Sequence, residues 1–267
     1  MTKKLIAIDL DGTTLNRHSK ISPRTIDVLK KASAAGHHVS IATGRPFRMS
    51  AQYYQELALD TPMINFNGGL VHKPYQKWPF EKEHFIQKEI AFEILAQKEN
   101  LNLDFVAAES RDTFYINRLE DFESSFFAAD KATEANLFNN LKTNPTSLLI
   151  KTKHEFVSKV STTLMNQFEN EIDVRTWGGP NAILEIVPKG VQKAMALEVV
   201  AESFKIKPKN IIAFGDEHND LELLSYAGWG VAMKNGTDQL KSVANDITEK
   251  TNDEDGLAEY LEQHLAL

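Results

Sequence analysis

The sequence contains no cysteine. That absence excludes disulfides, thiolate zinc sites and every cysteine nucleophile, so the attacking atom of any covalent chemistry has to be oxygen or nitrogen. Positive charge is also in short supply: 30 Lys and Arg stand against 37 Asp and Glu, a formal net charge of −7. Nucleic-acid surfaces need a clustered basic face to neutralise phosphates, and none is expected here. An acidic chain that handles an anionic ligand needs a cation with it. No apolar run reaches the roughly 18 to 20 residues that span a bilayer. The opening stretch MTKKLIAIDLD meets charge too early for a secretory signal, so the cytoplasm is the expected setting and no membrane partner is expected. Gly/Ser linkers, low-complexity tracts and internal repeats are missing, which predicts short connections between domains. There is no Gly-Lys dipeptide for a phosphate-binding loop, and GWGVAM lacks the third glycine of a dinucleotide fingerprint. The sequence carries no signal of oligomeric state.

What is present is ordinary globular material: 267 residues, 42% hydrophobic and 25% charged, enough for one large domain or two smaller ones. The first apolar run, LIAI, ends in DLDGTTL. SPRTIDVLKKASAAG follows with Ser22 as N-cap, Pro23 at the first helical position, Ile26, Leu29 and Ala32 at helical spacing and Gly36 as the stop. HHVSIATG reads as a second buried strand. Near the other end VQKAMALEVVAESFKI reads as a helix, NIIAFGDEHND as a strand ending in acids, LELLSYAG as a helix and WGVAM as a strand. Alternation of this kind predicts a parallel sheet covered by helices, a doubly wound α/β core. Between residues 83 and 186 the texture changes. IQKEIAFEILAQKEN is helical, LDFVAAE and TFYIN are extended, residues 155–168 are helical, and two strands flank the turn WGGPNA. This predicts an α+β domain over 83–186 inserted into a core made of 1–82 and 187–267.

Three apolar strands thus end in small polar clusters: Asp9 with Asp11, Thr43 with Gly44, and Asp216 with Asn219 and Asp220. Ligands bind at the carboxyl ends of parallel strands where the strand order reverses, so the topology would bring the three clusters to one crevice. Residues two apart on a strand share a face, which predicts the Asp9 and Asp11 carboxylates side by side. Hard oxygens at that density suit Mg²⁺. Taken singly, each cluster has a plainer reading. DLDG is also a solvated turn at a strand end, ATGR a common turn, GDEHND a surface Asp/Asn turn, and Lys193 a solvated lysine in the first turn of a helix. A calcium loop starting at Asp9 is excluded by Thr14 and Lys20, where glycine and glutamate are required.

In this order the residues resemble the haloacid dehalogenase superfamily of phosphohydrolases. The resemblance covers nearly the whole chain and rests on DLDGTTL at 9–15, ATGR at 42–45, Lys193 in KGVQKAMAL and GDEHNDLELL at 215–224. The later stretch AGWGVAMKNGTDQLKSVANDITEKTNDEDGLAEYLE is similar to the Cof-type sugar-phosphate phosphatases, whose α+β cap lies where the inserted block lies here. Departures are small: NGT where Asn-Ala is common, and NFNGG where Asn-Gly-Ala is usual.

The resemblance implies roles. Asp9 would be the nucleophile that forms an aspartyl-phosphate, and Asp11 the general acid and base. Mg²⁺ would be held by Asp9, the Asp11 backbone carbonyl and Asp216, with Asp220 orienting that shell. Thr43, Lys193, Asn219 and the backbone near Leu10 and Gly44 would cradle the phosphoryl group. Specificity is expected from Arg45 and Asn67 on the core and from Trp177 and Asn181 in the cap turn, where a packed aromatic at Trp177 is the competing reading. The cap would then act as a lid over the strand ends. The substrate is a small phosphate ester, by analogy a sugar phosphate, with pyridoxal and flavin phosphates also open. Two other functions stay open: a phosphomutase of the same superfamily, and a non-catalytic phosphometabolite-binding protein.

Overall fold

The computed structural model describes residues 2–111, 113–117, 140–176 and 182–267, and the backbone alone at 133–134. Trp177 and Asn181 fall outside the described residues. The chain forms two compact units. The first comprises Met1–Arg45, Ser50–Lys82 and Gln192–Leu267, and the second comprises Pro46–Met49 and Glu83–Val191.

In chain order the first part of the core carries β1 (Leu5–Ile8), α1 (Pro23–Ala34), β2 (His38–Ile41), α2 (Phe47–Glu56), β3 (Met63–Asn65) and β4 (Leu70–His72). The inserted unit follows through β5 (Lys82–Glu83), α3 (Lys88–Ala96), β6 (Leu103–Glu109), β7 (Phe114–Ile116), β8 (Thr133–Glu134), β9 (Ser147–Thr152), α4 (Val157–Gln167), β10 (Ile172–Thr176) and β11 (Ile183–Pro188). The chain closes with α5 (Lys193–Ser203), β12 (Ile211–Gly215), α6 (Leu221–Tyr226), β13 (Trp229–Ala232), α7 (Asp238–Val243), β14 (Asp246–Ile247) and α8 (Gly256–Leu265).

Local chemistry accounts for the core elements. All four residues of β1 are buried, as a strand covered on both faces requires. Helix α1 starts where the Ser22 side chain accepts the Thr25 N–H and Pro23 occupies the first turn, and it buries Thr25, Val28, Leu29 and Ala32. The expected Ile26 sits at the edge of that stripe and is half-buried. The sheet is parallel with strand order β14-β13-β12-β1-β2. Ile8 of β1 lies between Phe214 of β12 and Ile41 of β2. The order therefore reverses between β1 and β12, which puts the carboxyl ends of these two strands side by side at the switch point.

The inserted unit is built on a sheet of order β10-β11-β9-β6-β7-β8, antiparallel except for the β7–β8 pair. Alternation along the strands gives it two apolar faces. Val106, Ala108, Leu148, Ile150, Leu184 and Ile186 pack with Ile90 and Ile94 of α3 and with Val160 and Leu164 of α4. Phe105, Ala107, Leu149 and Ile183 form a second cluster with Phe114 and Ile116. Arg48 pairs with the buried Glu109 of β6. The expected junction after residue 186 falls inside β11, which stays paired with β10 through Pro188, and the second unit continues to Val191. A strand end is set by its partner, which a reading of local pattern does not see.

Candidate active site

Strand β1 ends at Ile8, and the chain turns at once. The N–H groups of Thr13, Thr14 and Leu15 all point at the Leu10 carbonyl, at 3.3, 3.0 and 2.8 Å. Asp9 and Asp11 are thus not two positions on one strand, and the side-by-side arrangement expected from strand alternation does not hold. Asp9 turns inward and is buried; its Oδ1 accepts from the Lys193 Nζ at 2.6 Å. Asp11 faces outward, with its side chain 58% exposed, and is gripped by Arg45.

Lys193 is the first residue of α5, but it is no solvated lysine: its side chain is fully buried, and Nζ also donates to Asp220 Oδ1 at 2.6 Å. The other oxygen of Asp220 accepts the backbone N–H groups of Asp216 and Glu217 at 3.1 and 3.3 Å. Asp220 therefore ties the lysine to the loop after β12. Asp216 Oδ1 accepts from Thr13 Oγ1 at 2.9 Å, and Thr14 Oγ1 donates to the Asp9 carbonyl at 2.5 Å. Gly12 is required here: it has φ +72°, and a Cβ would lie 2.1 Å from Asp216 Oδ2.

Candidate ligand oxygens of Asp9, Asp216 and Asp220 lie within 4.8 Å of one another. Asp220 has both oxygens engaged, whereas Asp9 and Asp216 each keep one carboxylate oxygen without a hydrogen-bond donor among the described residues. Burial, only partly offset by Lys193, and the surrounding Asp220, Asp216 and Asp11 hold the Asp9 carboxyl well above the usual carboxylate range. Burial and Asp220 push Asp216 up to about 7. Burial works against the Lys193 ammonium, but Asp220 and Asp9 outweigh it and keep the lysine charged. Three acids around one ammonium leave an excess of negative charge, and two free hard oxygens facing that excess fit a divalent cation such as Mg²⁺.

A second cluster forms at the end of β2. Thr43 is buried; its N–H donates to the Ile64 carbonyl at 3.0 Å, and its Oγ1 accepts from the Arg45 N–H at 3.1 Å. Asn67 is buried in a left-handed turn, φ 54°, a conformation that asparagine tolerates better than most residues. Its Oδ1 accepts from Asn219 Nδ2 at 2.9 Å, and it lies against Gly44, where a Cβ would come 2.9 Å from Nδ2. Gly68, φ +103°, is held as tightly, since a Cβ would stand 2.5 Å from the Gln192 carbonyl just before Lys193. Asn219, Asn67 and Gly44 thus form one contact chain, which links three of the expected positions.

Sequence reasoning did not single out Thr13, Thr14, Tyr53 or Asn235. The two threonines stand inside DGTTL, where a hydroxyl next to a strand-end acid is a usable signal. Asn235, whose Nδ2 donates to the Gly12 carbonyl at 2.7 Å, stands in the NGT noted above only as a departure, and Tyr53 of α2 has no local mark.

A parallel sheet with carboxylates and a buried lysine at its switch point, interrupted by an α+β unit, defines an α/β protein whose carboxylate cluster could hold a metal ion. Residues 6–261 match the family of haloacid dehalogenase-like hydrolases. The chain is 37% identical over 265 residues to the 5-amino-6-(5-phospho-D-ribitylamino)uracil phosphatase YitU of Bacillus subtilis, covering 98% of each chain. It is 27% identical over 273 residues to the pyridoxal phosphate phosphatase YbhA of Escherichia coli, covering 99% of this chain and 100% of that one. A solved haloacid dehalogenase-like hydrolase of Bacteroides thetaiotaomicron superposes with a TM-score of 0.88 at 27% identity, covering 98% of this chain and 100% of the other. The chain belongs to the haloacid dehalogenase-like hydrolases, and it is a phosphoric monoester hydrolase.

Proposed function

We propose that this enzyme is a Mg²⁺-dependent phosphatase of small phosphate monoesters that works through an aspartyl-phosphate on Asp9. The observation that carries the reading is the setting of Asp9: a buried carboxylate with one oxygen on the Lys193 ammonium at 2.6 Å and the other without a donor among the described residues. An oxygen so placed is a nucleophile held in one orientation. Asp9, the Asp11 backbone carbonyl and Asp216 would hold Mg²⁺, which would supply positive charge to offset repulsion between the nucleophile and a phosphate dianion.

In the first half-reaction the free oxygen of Asp9 bonds to phosphorus as the ester P–O bond breaks, and Asp11 gives its proton to the departing alkoxide. In the second, Asp11 takes a proton from water, the hydroxide bonds to phosphorus, and the bond from phosphorus to Asp9 breaks. Inorganic phosphate leaves and the Asp9 carboxylate is restored. Lys193, Thr43, the N–H groups near Leu10 and Gly44, and the Asn219 amide hold the phosphoryl oxygens as charge shifts. Asp220 fixes Lys193 and the loop of Asp216. Arg45 and Asn67, with Trp177 and Asn181, are the positions that would read the alcohol part of the ester.

The relatives named above act on a phosphorylated ribityl compound and on pyridoxal phosphate, and the former is the more similar at 37% identity over almost all of both chains. We therefore place phosphorylated sugars and sugar alcohols first among substrates, with a cytoplasmic setting. The test is phosphate release by purified protein from a panel containing 5-amino-6-(5-phospho-D-ribitylamino)uracil, pyridoxal phosphate and common sugar phosphates, with Mg²⁺ or with EDTA. Stoichiometric phosphate release that needs Mg²⁺ is expected. Phosphoryl transfer to a second hydroxyl without net phosphate would mean a mutase, binding without turnover a sensor, and full activity in EDTA would overturn the metal assignment.

A further inference from the structure

Asp11 differs from Asp9, Asp216 and Asp220 in that its side chain is largely exposed and, among the described residues, its carboxylate is held by Arg45 alone. What holds its side chain is a fork from Arg45: Nε donates to Oδ2 at 2.7 Å and Nη2 to Oδ1 at 2.5 Å. Arg45 is in turn fixed from three sides. Its N–H donates to Thr43 Oγ1 at 3.1 Å, and its carbonyl accepts from Asn65 Nδ2 at 2.8 Å. Its remaining nitrogen, Nη1, donates to the Tyr53 hydroxyl at 3.4 Å, and the guanidinium carbon lies 5.6 Å from the centre of the Tyr53 ring. Tyr53 is buried in α2, and its hydroxyl donates to the Ser19 carbonyl at 2.9 Å.

A two-pronged arginine–carboxylate contact fixes the plane and direction of both groups, which a single charge contact does not. To protonate an alkoxide, Asp11 must free one oxygen for the proton, and then only one prong remains. The Tyr53 ring and hydroxyl keep the guanidinium in place at that moment. We propose that Tyr53 is a positioning residue for proton transfer: it holds Arg45, and Arg45 sets where the Asp11 carboxyl points. The inference rests on the reading of Asp11 as the general acid.

An alkyl phosphate needs a proton on its leaving oxygen, whereas p-nitrophenyl phosphate releases a stable anion and needs none. The ratio of kcat/KM for the best alkyl ester of the panel to that for p-nitrophenyl phosphate therefore reports the proton-transfer step. It omits the shared hydrolysis of the intermediate, because kcat/KM covers only steps up to the first departure. Asp11→Asn is expected to lower the ratio by about 100-fold or more, since general acids contribute about 10² to 10⁴. Arg45→Gln and Arg45→Lys should each lower it about tenfold for every alkyl ester of the panel alike, whatever its alcohol, because glutamine lacks the charge and lysine keeps the charge but not the fork. Tyr53→Phe, which keeps the ring and loses the hydroxyl, should lower it several-fold, with a loss in melting temperature of only the few degrees that the missing hydrogen bond to Ser19 brings. Equal losses on both esters in Tyr53→Phe, or an unchanged ratio there beside a large effect in Asp11→Asn, would overturn the proposal alone. An unchanged ratio in Asp11→Asn would overturn the acid assignment and the proposal with it.

Discussion

Replacing Lys193 with methionine removes an ammonium that lies 2.6 Å from Asp9 and 2.6 Å from Asp220 and keeps the volume of its buried stem. Three carboxylates then share the site with no lysine among them, and the nearest escape for the folded protein without metal is to bind about one further proton. Protonating a carboxyl whose ordinary pKa is 3.8 costs about 4 kcal/mol at pH 7 and about 2 kcal/mol at pH 5, at ~1.36 kcal/mol per unit. The larger figure matches the roughly 3 to 5 kcal/mol lost when one partner of a buried ion pair is removed. For a chain of this size about 4 kcal/mol lowers the melting temperature by roughly 10 °C. The assay is a thermal melt of wild type and Lys193→Met in EDTA at pH 7 and pH 5. The expected result is a deficit near 10 °C at pH 7 that shrinks by about half at pH 5, with part of it recovered in excess Mg²⁺. A deficit that is absent at pH 7, or that does not shrink on acidification, would refute the view that Lys193 acts by neutralising buried acids.

The same acids set the pH dependence of the metal-free wild type. Asp9 is raised, chiefly by burial, and Asp216 is raised to about 7, so the folded protein keeps protons that the unfolded chain loses above pH 3.8. Stability should be greatest below about pH 4 for these two groups, fall as pH rises toward 7, and lose that slope in Mg²⁺; urea midpoints at pH 5, 6 and 7.5 measure it. Asp9→Asn should abolish turnover while raising the metal-free melting temperature at pH 7 by a few degrees, because one of three crowded acids is gone. Turnover within tenfold of wild type would contradict the covalent route. Gly12→Ala sets a Cβ 2.1 Å from Asp216 Oδ2 and should weaken Mg²⁺ binding at least about tenfold by calorimetric titration, with no comparable loss in Gly36→Ala, where the nearest atom is 3.9 Å away.

What local pattern decides was legible in the sequence. LIAI is four apolar residues without a break and forms a strand buried on both faces; Ser22, Pro23 and Gly36 bracket a helix because capping and φ preferences act within a few residues. Strands β1, β2, β12 and β13, helices α1, α5 and α6, and the acids at the strand ends follow from the same short-range signals. Partners are a different matter. Asp9 and Lys193 lie 184 residues apart and meet at 2.6 Å, and only the packing of α5 turns a first-turn lysine into a fully buried cation. Asp9 and Asp11 look like twins, yet the chain turns after Ile8 and sends one to Lys193 and the other to Arg45. Tyr53 carried no signal in the sequence, and its role depends on the Ser19 carbonyl, 34 residues away, meeting the hydroxyl that also takes Arg45. Residue type and local period thus determined which elements form and which groups could do chemistry. The tertiary structure alone decided which charge neutralises which, since an ion pair's strength depends on distance and burial, and both are properties of contacts between parts of the chain far apart in sequence.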